Sequence, residues 1–285
     1  MKKLISVGLL ILVVLTACKK KPVNTIADNS DTAWRATKSI VYNGFSVDVV
    51  IDKPVGNTFD VLVVYHGTVV YDSLILEAAN NTLEGFKRIL KRKDMMIVSV
   101  AYPEENLLMG DNVKHSEAAL LWVKNKAAAE LGVKINKVFI AGHSQGGYIV
   151  TRLNTMQETN GVIANAPGPL NLVYRCQLEE DGKLAQGIAC TALKNKYGST
   201  VANPTAYQDR SLLKFTAAFK SDILFVQGLD DSPIQMYSWP LFKQKVTDCT
   251  DCKKVQVHEV AGYGHPSLFE NSDAQGVFNQ FIAER

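Results

Sequence analysis

A serine, a histidine and an aspartate, far apart in the chain, together could carry nucleophilic chemistry. Ser144 stands in Gly142-His143-Ser144-Gln145-Gly146, directly after the apolar run Lys137-Val138-Phe139-Ile140-Ala141. A strand that runs into a serine flanked by small residues can present its hydroxyl on a sharp turn, because glycine tolerates the close backbone approach such a turn needs. His265 follows Tyr263-Gly264 and precedes Pro266, past the last strand-like run. A loop histidine can act as a general base near neutral pH. The segment Val226-Gln227-Gly228-Leu229-Asp230-Asp231-Ser232-Pro233-Ile234 offers two aspartates at the end of another apolar run. An acid there would hold the histidine tautomer and stabilise its protonated form.

Such residues need a scaffold that brings loops together, and the periodicity supplies one. Val61-Leu62-Val63-Val64-Tyr65 is a continuous apolar run, as expected of a buried central strand, and it ends in His66-Gly67-Thr68. Residues 39–53 alternate as two short strands joined near Asn43-Gly44. Residues 95–100 form a second buried strand, closed by Ala101-Tyr102-Pro103. Residues 161–166, 223–227 and 255–260 read as three more strands. Helices are expected at 76–92, at about 112–131, at 145–156 and near 274–282. Strands separated by helices predict an α/β fold: a mostly parallel central sheet flanked by helices on both faces. Residues 167–218 break the rhythm and read as a small cap inserted between two core strands.

With the serine, the acid and the histidine in that chain order, the sequence resembles the α/β-hydrolase superfamily across residues 38–285. The closer likeness is to esterase and prolyl-oligopeptidase-like members. The resemblance implies a serine hydrolase with Ser144 as nucleophile and His265 as base. Gly228, Asp231 and Ile234 match the family form G-x-x-D-x-x-V, with isoleucine in place of valine. Asp231 is thus the expected acid, and Asp230 a residue that braces the loop. His66-Gly67 resembles the family's oxyanion motif, so the backbone amides of Thr68 and Gln145 are the expected oxyanion donors. His66 would orient that loop, His143 would pack beneath the turn, His258 would be structural or lie exposed on the sheet, and His115 would lie on the surface. No cofactor or metal is implied.

Substrate selection falls to the loop after Thr68, the Tyr102 segment and the cap, with Tyr102, Leu170, Tyr174 and Tyr237 as possible walls. The leading expectation is a carboxylic-ester hydrolase acting on a small or polysaccharide-linked ester. A peptidase or amidase, and a noncatalytic binding protein on the same fold, are the alternatives.

The amino terminus is expected to lie outside the fold. Lys2 and Lys3 precede an apolar stretch at residues 4–15, too short to span a bilayer as a helix and right for a signal peptide. Leu15-Thr16-Ala17-Cys18 resembles a bacterial lipobox. That resemblance implies a signal peptide at 1–17, a lipid-bearing (palmitate-type) Cys18, a tether at 18–37 and an envelope lipoprotein on the periplasmic or extracellular face. A plain secretory signal is the alternative. Cys176, Cys190, Cys249 and Cys252 remain, an even number that suggests disulfides in an exported protein. The simplest pairing joins Cys176 to Cys190 and Cys249 to Cys252. The net charge of +3 is small and no basic tract is interleaved with aromatics, which speaks against a nucleic-acid partner.

Overall fold

Continuous apolar runs become the centre of one eight-stranded sheet. The computed structural model describes residues 31–285. The strands are β1 (Trp34–Tyr42), β2 (Phe45–Lys53), β3 (Thr58–Tyr65), β4 (Met96–Ala101), β5 (Lys134–His143), β6 (Gly161–Asn165), β7 (Ile223–Gly228) and β8 (Val255–Val260). Their order across the sheet is β1-β2-β4-β3-β5-β6-β7-β8. β1 and β2 pair antiparallel, as do β2 and β4, and all later pairs are parallel.

Alternation along β3 shows how the sheet is covered on both faces. Val61, Val63 and Tyr65 point into one apolar layer, and Leu62 and Val64 into the other. The first layer is closed by α2 (Val113–Trp122), α4 (Gln145–Met156) and α8 (Pro233–Thr247), through Trp122, Leu153, Trp239 and Phe242. The second is closed by α1 (Ile75–Ile89), α9 (Ser267–Glu270) and α10 (Ser272–Ala283), through Leu83, Phe86, Leu268, Phe278 and Phe281. Each large apolar side chain so buried contributes roughly 1.5–3 kcal/mol. α2 continues through a π turn at Val123–Ala127 into α3 (Ala128–Leu131), where Gly132, left-handed at φ 65°, ends it.

Between β6 and β7 the chain leaves the sheet. α5 (Leu172–Glu180), α6 (Ile188–Tyr197) and α7 (Pro204–Gln208) fold over its carboxyl edge. They share a small apolar cluster of Leu172, Cys176, Cys190, Leu193, Ala206 and Tyr207. A disulfide joins Cys176 to Cys190 within this cap, and a second joins Cys249 to Cys252 before β8. The second pair's sulfurs, beside Asp251, are bonded to each other and so are not free thiolate ligands.

Two expectations about the amino terminus change. β1 begins at Trp34, inside the stretch expected to be tether; register with β2, from Trp34 opposite Lys53 onward, draws those residues into the sheet. The membrane, lipoprotein and palmitate assignment is withdrawn, because no helix among the described residues is long and apolar enough to cross a membrane. Cys18 and the 1–17 leader lie outside the described residues.

The cap's cluster is small, so its bridge should matter locally. A cross-link over a separation of 14 residues is worth about 3 kcal/mol at most in chain entropy. Replacing Cys176 and Cys190 by serine should speed protease cleavage between α5 and α6 while leaving the denaturant midpoint of the sheet nearly unchanged. Equal cleavage rates with and without the bridge would contradict this.

Candidate active site

The carboxyl ends of β3, β5, β7 and β8 lead into the four loops that carry Thr68, Ser144, Asp231 and His265. This edge of an open parallel sheet is where ligand sites form, because the loops converge there. Ser144 is held in the least ordinary backbone of the group, at φ 58° and ψ −120°. A non-glycine residue in such a conformation costs on the order of 1–3 kcal/mol and persists only when its surroundings enforce it. The enforcement is steric and local. A Cβ on Gly142 would overlap the Gly146 carbonyl, and one on Gly146 would overlap the Tyr65 carbonyl. The Ser144 amide donates to Asn165 O at 2.9 Å, and the Ser144 carbonyl accepts from Gly168 N at 3.1 Å. Serine thus ends up between a strand and α4, lining a cavity of about 740 Å³ with Thr68, Asp231 and His265.

His265 Nδ1 donates to Asp231 Oδ2 at 2.8 Å. That bond leaves Nε2 as the ring's free nitrogen. The Asp231 side chain is only 4% exposed, whereas that of His265 is 41% exposed. Burial pushes the Asp231 carboxyl up. Hydrogen bonds from His265, Gln227 and the Ser232 amide, with the His265 charge, outweigh burial and hold the carboxyl below its ordinary value. Asp230 does not share this position. Its amide donates to Tyr263 O at 2.9 Å, bracing the loop, and its side chain is exposed on the cavity wall. Among the described residues Ser144 and His265 share the cavity without a hydrogen bond between them; such contacts commonly tighten only with substrate in place.

Thr68 and Gln145 are joined directly, Thr68 Oγ1 donating to Gln145 Oε1 at 2.6 Å. The Gln145 amide opens α4, where the first amides have no intrahelical carbonyl to bond and carry the positive end of the helix dipole. The Thr68 loop is held from beneath. The His66 ring stacks on Tyr102 at 3.9 Å, its Nδ1 donates to Gly67 O at 2.7 Å, and Tyr102 Oη donates to His66 O at 2.5 Å. Tyr102 is therefore a support of this loop rather than a cavity wall. Tyr174 and Tyr237 stack on each other at 3.8 Å, and Leu170 does line the cavity.

Several supports were not singled out from the sequence. Gln227, fully buried at the end of β7, donates Nε2 to Asp231 Oδ2 at 3.0 Å. Its Oε1 accepts from Gln235 Nε2 at 3.1 Å, and Gln235 also bonds Pro167 O. Asn165 Nδ2 donates to His143 Nδ1 at 2.8 Å, and the His143 ring lies 4.7 Å from that of His265. A glutamine and an asparagine at the ends of apolar strands were the available signal, since buried amides need partners. His115 is half-buried against Phe45 at 5.0 Å rather than on the surface, because α2 packs on the β1–β2 pair.

A family model described as the alpha/beta hydrolase fold matches residues 62–259. No curated protein matches the sequence. Among solved structures, the chain is similar to an acylaminoacyl peptidase from Pyrococcus horikoshii, with TM-score 0.64 and 16% identity over 88% of this chain and 42% of that one. It is similar to a hyperthermophilic esterase from the archaeon Pyrobaculum calidifontis, with TM-score 0.64 and 16% identity over 90% of this chain and 86% of that one. It is also similar to Est1E from Butyrivibrio proteoclasticus, with TM-score 0.60 and 13% identity over 87% and 98% of the two chains. The chain spans 42% of the length of the acylaminoacyl peptidases it matches. At these identities the likenesses show the fold.

Two histidines in this region make acid stability a readout. Burial is the main cause that lowers His66 to about 4, against the raising effect of its bonds with Gly67 and Tyr102. Burial, then the neighbouring His265 charge, lowers His143 to about 4. In the unfolded chain each titrates near 6.5. Above that pH neither affects stability. Between about 6.5 and 4 the unfolded chain binds protons that the folded chain does not, so stability falls as pH falls, by at most about 3 kcal/mol per histidine. The urea midpoint should therefore drop across this window, and a His143→Gln variant should show a shallower drop. An identical pH profile in the variant would contradict the assignment.

Proposed function

Because the chain belongs to the alpha/beta hydrolase fold family, we propose that it is a serine hydrolase that cleaves carboxylic esters through an acyl intermediate on Ser144. The observation that carries this reading is the 2.8 Å bond from His265 Nδ1 to the buried Asp231 carboxylate, at the cavity that Ser144 also lines. In this reading His265 Nε2 takes the Ser144 proton as Oγ attacks the ester carbonyl. Asp231 keeps the ring in the required tautomer and stabilises the imidazolium. The proton then passes to the leaving alcohol. Water repeats the sequence on the acyl-enzyme and releases the acid.

The developing oxyanion would be met by the amides of Thr68 and Gln145. Removing one such donor typically costs about 3–4 kcal/mol of transition-state stabilisation. The Thr68–Gln145 side-chain bond joins the two loops that present these amides.

Ester cleavage is supported by the likeness of fold to the esterase from Pyrobaculum calidifontis. The two disulfides support an oxidising compartment outside the cytosol.

Kinetics on p-nitrophenyl acetate and on an aminoacyl p-nitroanilide test the proposal together. The ester should be turned over and the anilide should not. Ser144→Ala should remove ester turnover, and Asp231→Asn should lower kcat by roughly 10³–10⁴. Asp230→Asn should lose far less. Undiminished turnover by Ser144→Ala, or an anilide preferred over the ester, would overturn the reading.

A further inference from the structure

The loop that presents Thr68, residues 66–72, is gripped at both ends by one segment, residues 102–105, which follows β4. At one end Tyr102 stacks on the His66 ring at 3.9 Å and donates its hydroxyl hydrogen to His66 O at 2.5 Å. At the other end the amides of Glu104 and Glu105 donate to Asp72 Oδ1 at 2.8 and 2.9 Å, and the Asp72 amide donates to Glu105 Oε2 at 3.1 Å. The Thr68 amide lies between these two anchors. His66 O is also where the loop meets α4, since a Cβ on Gly146, one residue past Gln145, would lie 2.8 Å from it. A shift of that carbonyl therefore moves one proposed oxyanion donor relative to the other.

The Glu104 side chain sits behind this grip. It borders a cavity of about 380 Å³ that Thr68 and Gln145 also line. Its carboxyl lies against the Tyr102 hydroxyl and the Val69 amide, while its Oε1 is buried with no hydrogen-bond partner. Tyr102 has a single hydrogen, and that hydrogen is on His66 O. An ionised carboxylate against Tyr102 Oη would therefore set two acceptors against each other or take the hydrogen from His66. A protonated carboxyl does neither, because it brings a hydrogen of its own. Resting on the ester-hydrolase reading above, we propose that protonated Glu104 is a positioning residue for the oxyanion site: it donates to Tyr102 Oη and so keeps the Tyr102 hydrogen on the His66 carbonyl.

The surroundings keep that proton in place. Burial is the main cause that raises the Glu104 carboxyl to about 8; the Asp72 charge adds to it, and the Val69 and Tyr102 contacts oppose it. The other ionisable groups around the segment are Asp72, Glu105, Tyr102, His66 and, on α2, His115. Burial lowers both histidines, so neither brings a positive charge at or above neutral pH. Among the described residues, the walls that α4 and α6 give this cavity carry no charged side chain. A carboxylic acid kept neutral in such a site can donate a hydrogen bond at neutral pH. Loss of its proton to solvent leaves only acceptors at Glu104. The Tyr102 hydrogen is then drawn from His66 O, and the loop loses one of its anchors.

The test follows kcat and KM for p-nitrophenyl acetate, corrected for spontaneous hydrolysis, from about pH 6 to about pH 10. In the unaltered enzyme kcat should fall roughly tenfold through about pH 8 while KM changes little, because the site loses aim rather than substrate. Glu104→Gln, whose amide donates to Tyr102 Oη at every pH, should hold its kcat level across that range. Tyr102→Phe should lower kcat at neutral pH and abolish the step. An infrared band of a protonated carboxylic acid should titrate near the same pH and be missing from Glu104→Gln. A step that persists in Glu104→Gln, or a band that the substitution does not remove, would overturn the assignment. Fluorophosphonate labelling keeps the two questions apart. Label that persists in Ser144→Ala sinks the hydrolase reading, whereas Ser144-dependent label and turnover without the step sink only the role given to Glu104.

Discussion

Everything at the carboxyl edge of the sheet depends on three backbone segments that touch with no side chain between them. Gly142 lies one residue before the end of β5, the turn passes through Ser144, and Gly146, in the first turn of α4, lies against the Tyr65 carbonyl of β3. Any Cβ at Gly142 or Gly146 would overlap a carbonyl. The constraint fixes Ser144 at a positive φ and points the opening of α4 at the cavity. It also brings the Thr68 loop, at the end of β3, beside Gln145, which is the contact the proposed oxyanion site needs. The strain at Ser144 is sustained by the burial of β3 and β5, whose central residues are fully excluded from water.

The second organising interaction is electrostatic and comes from the other end of the sheet. Asp231 is a nearly buried carboxylate, which is costly unless its oxygens are bonded. His265, Gln227 and the Ser232 amide supply the bonds. Gln227 is itself satisfied by Gln235 on α8, so the acid is tied to the helix that follows it. Removal of one amide in this chain would leave another buried polar atom unpaired, which makes the set stiffer than its individual bonds imply.

The sheet was legible because its strands are either continuous apolar runs or clean alternations, and the turn at Ser144 was legible because glycines flank it after such a run. The order of the acid and the histidine along the chain came from resemblance; in the structure Asp231 bonds His265, whereas the Asp230 side chain is exposed. Helix α8 was not read from the sequence. Pro240 sits inside it and ordinarily argues against a helix, yet it lies on the exposed side while Trp239, Phe242 and Val246 face the core. The capping pair Ser232-Pro233 was the overlooked signal. The cap was the least legible part, since its short helices gain their order from a disulfide and from contacts distant in sequence.

The proposed chemistry requires Ser144 to become covalently acylated during turnover. Its most direct measurement is mass mapping of the protein quenched in acid during the first turnovers of a p-nitrophenyl ester. One acyl adduct is expected, on the peptide that contains Ser144, formed with a burst of p-nitrophenol equal to the enzyme. Steady turnover without an adduct, or an adduct confined to another residue, would contradict it.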